Sequence, residues 1–207
     1  MEVLASLKSE LNQKMMKPFL VTISLFTLLF SSCMKSTRQS EEIVSIKLQT
    51  VEHKNFSLQE IADNKASVIL FLQPECPFCN SYGKTLKKLD SAFATQGVKL
   101  YGVVAGKNYP DSEIIDYRNK FELQFPFLLD PDFSLMKELK ATITPQAFLL
   151  DPQGKILYHG MIDNWGYEIG KTRAHATEFY LTDAVNSFLL KKTISPDSTK
   201  AIGCYIQ

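Results

Sequence analysis

The chain lacks an excess of charge of either sign. Its 23 basic residues face 22 acidic ones, a formal net charge of +1. Binding of nucleic acid, which needs a basic face, therefore has no electrostatic support. No internal repeat or low-complexity tract is present, which excludes a solenoid and a disordered chain. Tryptophan occurs once, histidine three times and cysteine four times in 207 residues. The longest apolar stretch, Phe19 to Phe30, falls short of the roughly 20 residues that span a bilayer. What remains has the composition of an ordinary globular domain, 45% apolar and 22% charged, with room for appendages.

The first appendage is N-terminal. Lys14 and Lys17 precede the apolar stretch, and Ser31 and Ser32 follow it, just ahead of Cys33. A basic n-region, a short apolar h-region and small residues make a secretory signal peptide, predicted over residues 1–32. Met15 or Met16 provides a second plausible start. The position of Cys33 resembles a bacterial lipobox, although Phe30 replaces the usual Leu. That resemblance implies lipidation of Cys33, a membrane lipoprotein facing the periplasm, and a nearly neutral mature chain. In such an oxidising compartment, cysteine pairs work as thiols and disulfides.

Residues 33–42 read as a polar tether, and residues 43–160 carry the signals of one α/β domain. A strand is expected near Ile43–Val51 and a short Ser-capped helix around Ser57–Asn64. Val68–Leu72 is an unbroken apolar run, the mark of a strand buried on both faces. Tyr82, Leu86, Leu89 and Phe93 share one helical face, ended by Gly97. Val98–Val104, a helix after Pro110, Phe127–Leu129 and a helix over Phe133–Lys140 follow. Ala147–Leu150 and Ile156–Tyr158 flank the turn sequence DPQG. The order predicts a mixed central sheet with helices on its faces.

The chemistry sits in LFLQPECPFCNSY, where Cys76 and Cys79 are separated only by Pro77 and Phe78. The pair falls at the carboxyl edge of a central strand, where open α/β sheets place their active sites. The first turn of a helix stabilises a thiolate there. Cys76, the outer cysteine, is read as the nucleophile and Cys79 as the resolving thiol. Pro77 suits an early helical position, where its missing N–H costs little. Zinc would need four ligands, and Cys204, His53, His159 and His175 are not spaced as a second half-site. A structural staple across so small a loop would remove little unfolded-state entropy.

CPFC after a buried strand, followed by TITPQAFLLDPQGKILYHG, resembles the thioredoxin superfamily, most closely its exported TlpA/ResA-like and redoxin members. The resemblance implies a thioredoxin-like fold and a thiol-disulfide oxidoreductase that needs neither cofactor nor metal. Its partners would be protein thiols and disulfides and an upstream redox protein. It also implies that Pro145 is cis and, with Thr144, forms the edge against which substrate pairs. Departures exist. Glu75 replaces the usual Trp, and Leu70 replaces the buried acid that accepts a proton from the resolving thiol. Glu75, Pro77 and Phe78 are therefore expected to modulate the thiols. An AhpC/TSA-type peroxidase would need Thr and Pro where Gln73 and Ile69 stand, and a copper-handling Sco-like protein a wider cysteine spacing. A tethered binding module with an incidental disulfide is the remaining alternative.

Residues 161–207 extend past the domain as a polar loop, an amphipathic helix bearing Leu181, Val185, Phe188 and Leu189, and the tail TKAIGCYIQ. Asp163, Trp165, Lys171 and Arg173 are expected to anchor the loop rather than line a substrate groove. Cys204 is the odd cysteine. It could return to Cys76 as a second resolving thiol, form an intermolecular bridge, or dock as a small hydrophobe. Docking is the favoured expectation, because Cys79 already resolves Cys76.

Overall fold

The computed structural model describes residues 38–207; the expected signal peptide and Cys33 lie outside these residues. Helix α1 occupies residues 38–45, so the described part of the expected tether is helical. The strand expected from Ile43 begins only at Lys47, as β1 (Lys47–Thr50). The β-branched residues Ile43, Val44 and Ile46 read locally as strand. Packing overrides that propensity, because helical geometry buries Ile43 completely.

After β1 come β2 (Asn55–Ser57), a 3-10 turn (Leu58–Asp63), β3 (Ala66–Phe71), α2 (Pro77–Ala94) and β4 (Val98–Ala105). Next are α3 (Asp111–Lys120), β5 (Phe127–Asp130), α4 (Ser134–Leu139), β6 (Ile143–Thr144), β7 (Gln146–Leu150) and β8 (Ile156–Gly160). Ser57 caps the 3-10 turn by accepting from the Gln59 N–H at 3.3 Å, while Glu60 accepts from the Ser57 N–H at 3.1 Å. The DPQG turn closes the β7–β8 hairpin. There the Asp151 carboxylate accepts from the N–H groups of Gln153 at 3.0 Å and Lys155 at 2.9 Å.

Seven strands form one sheet in the order β2-β1-β5-β4-β3-β7-β8. β3, β4 and β5 run parallel, and β1, β7 and β8 run antiparallel to their neighbours. This is the mixed sheet expected from the sequence. The β1–β2 hairpin at its edge was not legible there.

All six residues of β3 are buried, and they alternate between two cores. Val68 and Leu70 join Leu86 and Phe93 of α2, Ile114 and Tyr117 of α3, and Leu181 and Val185 of α5 (Tyr180–Leu189). Ile69 and Phe71 face Ile43, Leu58, Leu135 and Leu139. Each such side chain contributes roughly 1.5–3 kcal/mol by leaving water. Clamping β3 on both sides fixes the strand end from which the cysteine loop departs.

The extension adds β9 (Gly166–Glu168), β10 (Lys171–Thr172) and, at the end of the chain, β11 (Cys204–Tyr205). Polar Ser195–Lys200 is not a free linker. The His159 N–H donates to the Asp197 carbonyl at 3.1 Å, and the Thr199 N–H donates to the His159 carbonyl at 3.0 Å, extending the edge of β8. The Thr199 hydroxyl accepts from the Met161 N–H at 2.8 Å and bonds the Tyr158 hydroxyl at 2.6 Å.

Candidate active site

Cys76 is the residue just before helix α2, with Pro77 in its first turn. The loop from β3 turns tightly, the Cys76 N–H donating to the Gln73 carbonyl at 3.1 Å. The Asn80 side chain pins this loop, donating to the carbonyls of Pro74 at 2.6 Å and Cys76 at 3.1 Å. Lys120 in turn donates to the Asn80 side-chain oxygen at 2.8 Å. The nucleophile candidate thus sits at the unsatisfied N–H groups of an 18-residue helix.

Both thiols are free, and both are shielded: Cys76 is 3% exposed and Cys79 fully buried. The Gln73 N–H points at the Cys79 sulfur, 3.5 Å away, and the Tyr117 hydroxyl donates to the Cys79 carbonyl at 2.9 Å. Cys76 Sγ lies 3.3 Å from the carbonyl oxygen of Thr144. The Thr144–Pro145 peptide is cis. The Thr144 hydroxyl donates to the Gln73 side-chain oxygen at 2.8 Å, tying the proline loop to the cysteine loop.

The electrostatics of the pair are unequal. The Cys76 thiol is lowered to about 5, chiefly because Cys79 donates to its anion; burial opposes this, and the Cys204 thiol adds a further donor. Burial pushes Cys79 well up, and its bond to the Cys76 anion and that charge push it further. Cys204 is pushed up to about 12 by burial first, then by its bond to Cys76 and the Cys76 charge. These shifts favour the thiolate on Cys76 and the thiol form on Cys79 and Cys204.

Other expected site residues take different places. Glu75 is exposed, whereas Cys79 is fully buried. Pro77 is also exposed, whereas Phe78 is buried against Trp165, with ring centroids 6.4 Å apart. Leu70 is buried in the same core cluster as Cys79. Trp165 also packs edge-on against Tyr82 at 5.5 Å. Asp163 accepts from the Tyr82 hydroxyl at 2.6 Å and from the Trp165 N–H at 2.9 Å, which anchors the extension on α2. Lys171 pairs with Glu168 at 2.7 Å, and Arg173 donates to the Asn164 carbonyl and lies over the Tyr167 ring, all within the extension.

Gln73 and Tyr117, and the Asn80–Lys120 pair that pins the loop, are contributors that sequence reasoning missed. Tyr117 showed only as part of an apolar helix face, and Gln73 only as a residue in the place of a peroxidase Thr. Cys204 lies opposite Thr144 and interacts with Cys76, the neighbourhood that the less favoured of the sequence readings, a return to Cys76, requires. Among the described residues no group of three or more His, Cys, Asp or Glu side chains could hold a metal ion.

Comparison with known proteins fits this arrangement. Residues 40–159 match the AhpC/TSA family. A thioredoxin-like protein of Haemophilus influenzae is 27% identical over 142 residues, covering 68% of this chain and 80% of the relative. Sporulation thiol-disulfide oxidoreductase A of Bacillus subtilis is 26% identical over 110 residues, covering 53% of this chain and 66% of the relative. Among solved structures, a hypothetical protein of Sinorhizobium meliloti superposes with a TM-score of 0.69 at 26% identity, over 78% of this chain and 89% of that one. With a buried CPFC pair at the head of α2, a cis-proline opposite it and a family match over more than half its length, the chain belongs to the AhpC/TSA family and is an oxidoreductase of the thioredoxin superfamily.

Proposed function

We propose that the protein exchanges disulfides with partner proteins through Cys76 and Cys79. The observation that carries this reading is the placement of the pair, Cys76 at the free N–H groups heading α2 and Cys79 fully buried in its first turn, which favours the thiolate on Cys76. A low-pKa thiolate is both the attacking group and a good leaving group in thiol–disulfide exchange. Cys76 attacks one sulfur of a partner disulfide, and the other partner sulfur leaves and takes up a proton. Once Cys76 is bound in the mixed disulfide, its charge no longer holds the proton on Cys79. Cys79 then loses that proton, attacks Cys76 Sγ and releases the partner's second thiol. The product is a Cys76–Cys79 disulfide, which an upstream redox partner reduces. No carboxylate stands beside Cys79 among the described buried residues, so its proton leaves by another route, such as the departing sulfur.

The surroundings suit a polypeptide. Tyr167, Ile169 and Tyr205 are 48%, 72% and 71% exposed. They line, with Ile143 and Ile202, a groove of about 560 Å³ beside the site. Peroxide activation lacks its usual hydroxyl, because Gln73 stands in that place and is bonded to Thr144.

The test is reduction of insulin disulfides with dithiothreitol as electron source. Cys76→Ser should be inert, and Cys79→Ser combined with Cys204→Ser, which leaves no thiol beside Cys76, should stop at a mixed disulfide through Cys76. Full activity in Cys76→Ser would overturn the assignment. Rapid peroxide consumption that depends on Cys76 alone would replace it with a peroxidase.

The proposed site of action is the cell envelope, with the protein held on the periplasmic face of a membrane by a lipid on Cys33. The N-terminal residue pattern supports this reading. Cells making the protein should incorporate labelled fatty acid into it and lose the label on Cys33→Ala. A fully soluble periplasmic product would leave an ordinary signal peptide instead.

A further inference from the structure

The end of the chain lies across the active site as an added strand. β11 pairs antiparallel with β6, Cys204 opposite Thr144 and Tyr205 opposite Ile143. The Ile206 N–H donates to the Thr142 carbonyl at 3.0 Å, and the Asn108 side chain donates to the Gln207 carbonyl at 3.0 Å, fastening the strand beyond the cysteine. On its other side the backbone of Gly203 presses on the proline loop. A Cβ at this position would fall 2.0 Å from the Thr144 carbonyl oxygen, so only glycine permits the approach.

Without this strand the outward backbone groups of β6 would be unpaired, a ready template for an extended peptide. A peptide sulfur that reaches Cys76 has to pass this edge, because Cys76 itself is 3% exposed. The tail already fills that place, and the residue it sets opposite Thr144, whose carbonyl is 3.3 Å from Cys76 Sγ, is a cysteine. Three features therefore converge: strand pairing, a glycine-dependent close approach and a thiol near enough to interact with the nucleophile.

We propose that Cys204 is a third exchange cysteine, an internal partner that takes the disulfide from Cys79 by bonding to Cys76. The step rests on the exchange chemistry proposed above and is redox-neutral. The Cys204 thiolate attacks Cys76 Sγ in the Cys76–Cys79 disulfide. That bond breaks, the Cys76–Cys204 bond forms, and Cys79 leaves with the electron pair and takes the proton that Cys204 gave up. Two sulfurs are oxidised before and after. The transfer moves the disulfide from fully buried Cys79 to a partly exposed cysteine on a two-residue edge strand. It also sets a condition on every external partner, which must displace the tail before it can reach Cys76.

Cys79→Ser isolates the attack of Cys204 on an oxidised Cys76 sulfur, with glutathione as the leaving group in place of Cys79. The reduced variant is treated with oxidised glutathione, quenched in acid and mapped by peptide mass spectrometry. Cys76 attacks glutathione disulfide and releases one glutathione thiol; Cys204 then attacks Cys76 and releases the second. The expected product is a monomer whose Cys76 and Cys204 peptides are joined. Glutathione retained on Cys76 should be at least about tenfold lower than in Cys79→Ser/Cys204→Ser, since a tethered thiol outcompetes free ones. A stable glutathione adduct on Cys76 with Cys204 open to alkylation would overturn the third-cysteine proposal and leave the exchange reading standing. Absence of any disulfide at Cys76 would overturn both.

Discussion

Cys79 and Cys204 both reach Cys76, but the regions that deliver them are built differently. Cys79 comes from the domain, one helical turn along α2, which the buried face of Tyr82, Leu86 and Phe93 presses onto the sheet. Cys204 comes from the extension, on a two-residue strand held by backbone pairing and by single side chains such as Thr199 and Asn108. Burial of large apolar side chains, roughly 1.5–3 kcal/mol each, secures the first. Hydrogen bonds with a net contribution of about 1 kcal/mol each secure much of the second. Regions of the second kind open locally while the rest of the molecule stays folded. The resolving thiol is therefore fixed in place, and the tail thiol is the one that can leave.

The largest effect should come from damaging the domain. Phe127 is fully buried and stacks on Phe125 with ring centroids 5.4 Å apart. Phe127→Ala should lower global stability by about 3–5 kcal/mol in urea unfolding. A smaller and more local effect is expected from Thr199→Ala, which removes the hydroxyl shared by the Met161 N–H and Tyr158. Its cost should be about 1–3 kcal/mol, and alkylation of Cys76 should speed up because the tail strand is released. If Thr199→Ala lowers the urea midpoint as much as Phe127→Ala and leaves Cys76 shielded, tail and domain unfold as one unit and the contrast fails.

The same contrast separates what could be read in the sequence from what could not. Val68–Leu72 announced itself as a doubly buried strand, and the α2 face followed from period 3.6, so the setting of CPFC was legible from local pattern. The proline loop was legible only through resemblance, because nothing near Thr144 in sequence mentions Cys76. Helix α1 was misread because Ile43, Val44 and Ile46 favour strand locally, and only distant packing decides otherwise. Tail placement depends on contacts between residues far apart, Thr199 with Tyr158 and Gly203 with Thr144, which leave no periodic trace. Polar Ser195–Lys200 carries no apolar pattern that would mark it as docked. In the fold those polar groups are what dock it on β8.

The claim that an ionised Cys76 does the chemistry is tested most directly by its titration. The measurement is the rate at which the reduced protein attacks a small disulfide as pH is varied, with Cys76→Ser as the blank. The folded value of about 5 lies below that of an ordinary thiol, about 8.5. The thiolate's contribution to the reduced fold is therefore complete above about 8.5 and is lost as pH falls through about 5. The rate should hold its plateau down through neutral pH and halve near pH 5. Cys79→Ala, which removes the main donor to the anion, should move that midpoint upward. A midpoint near that of an ordinary thiol, unmoved by Cys79→Ala, would contradict the account.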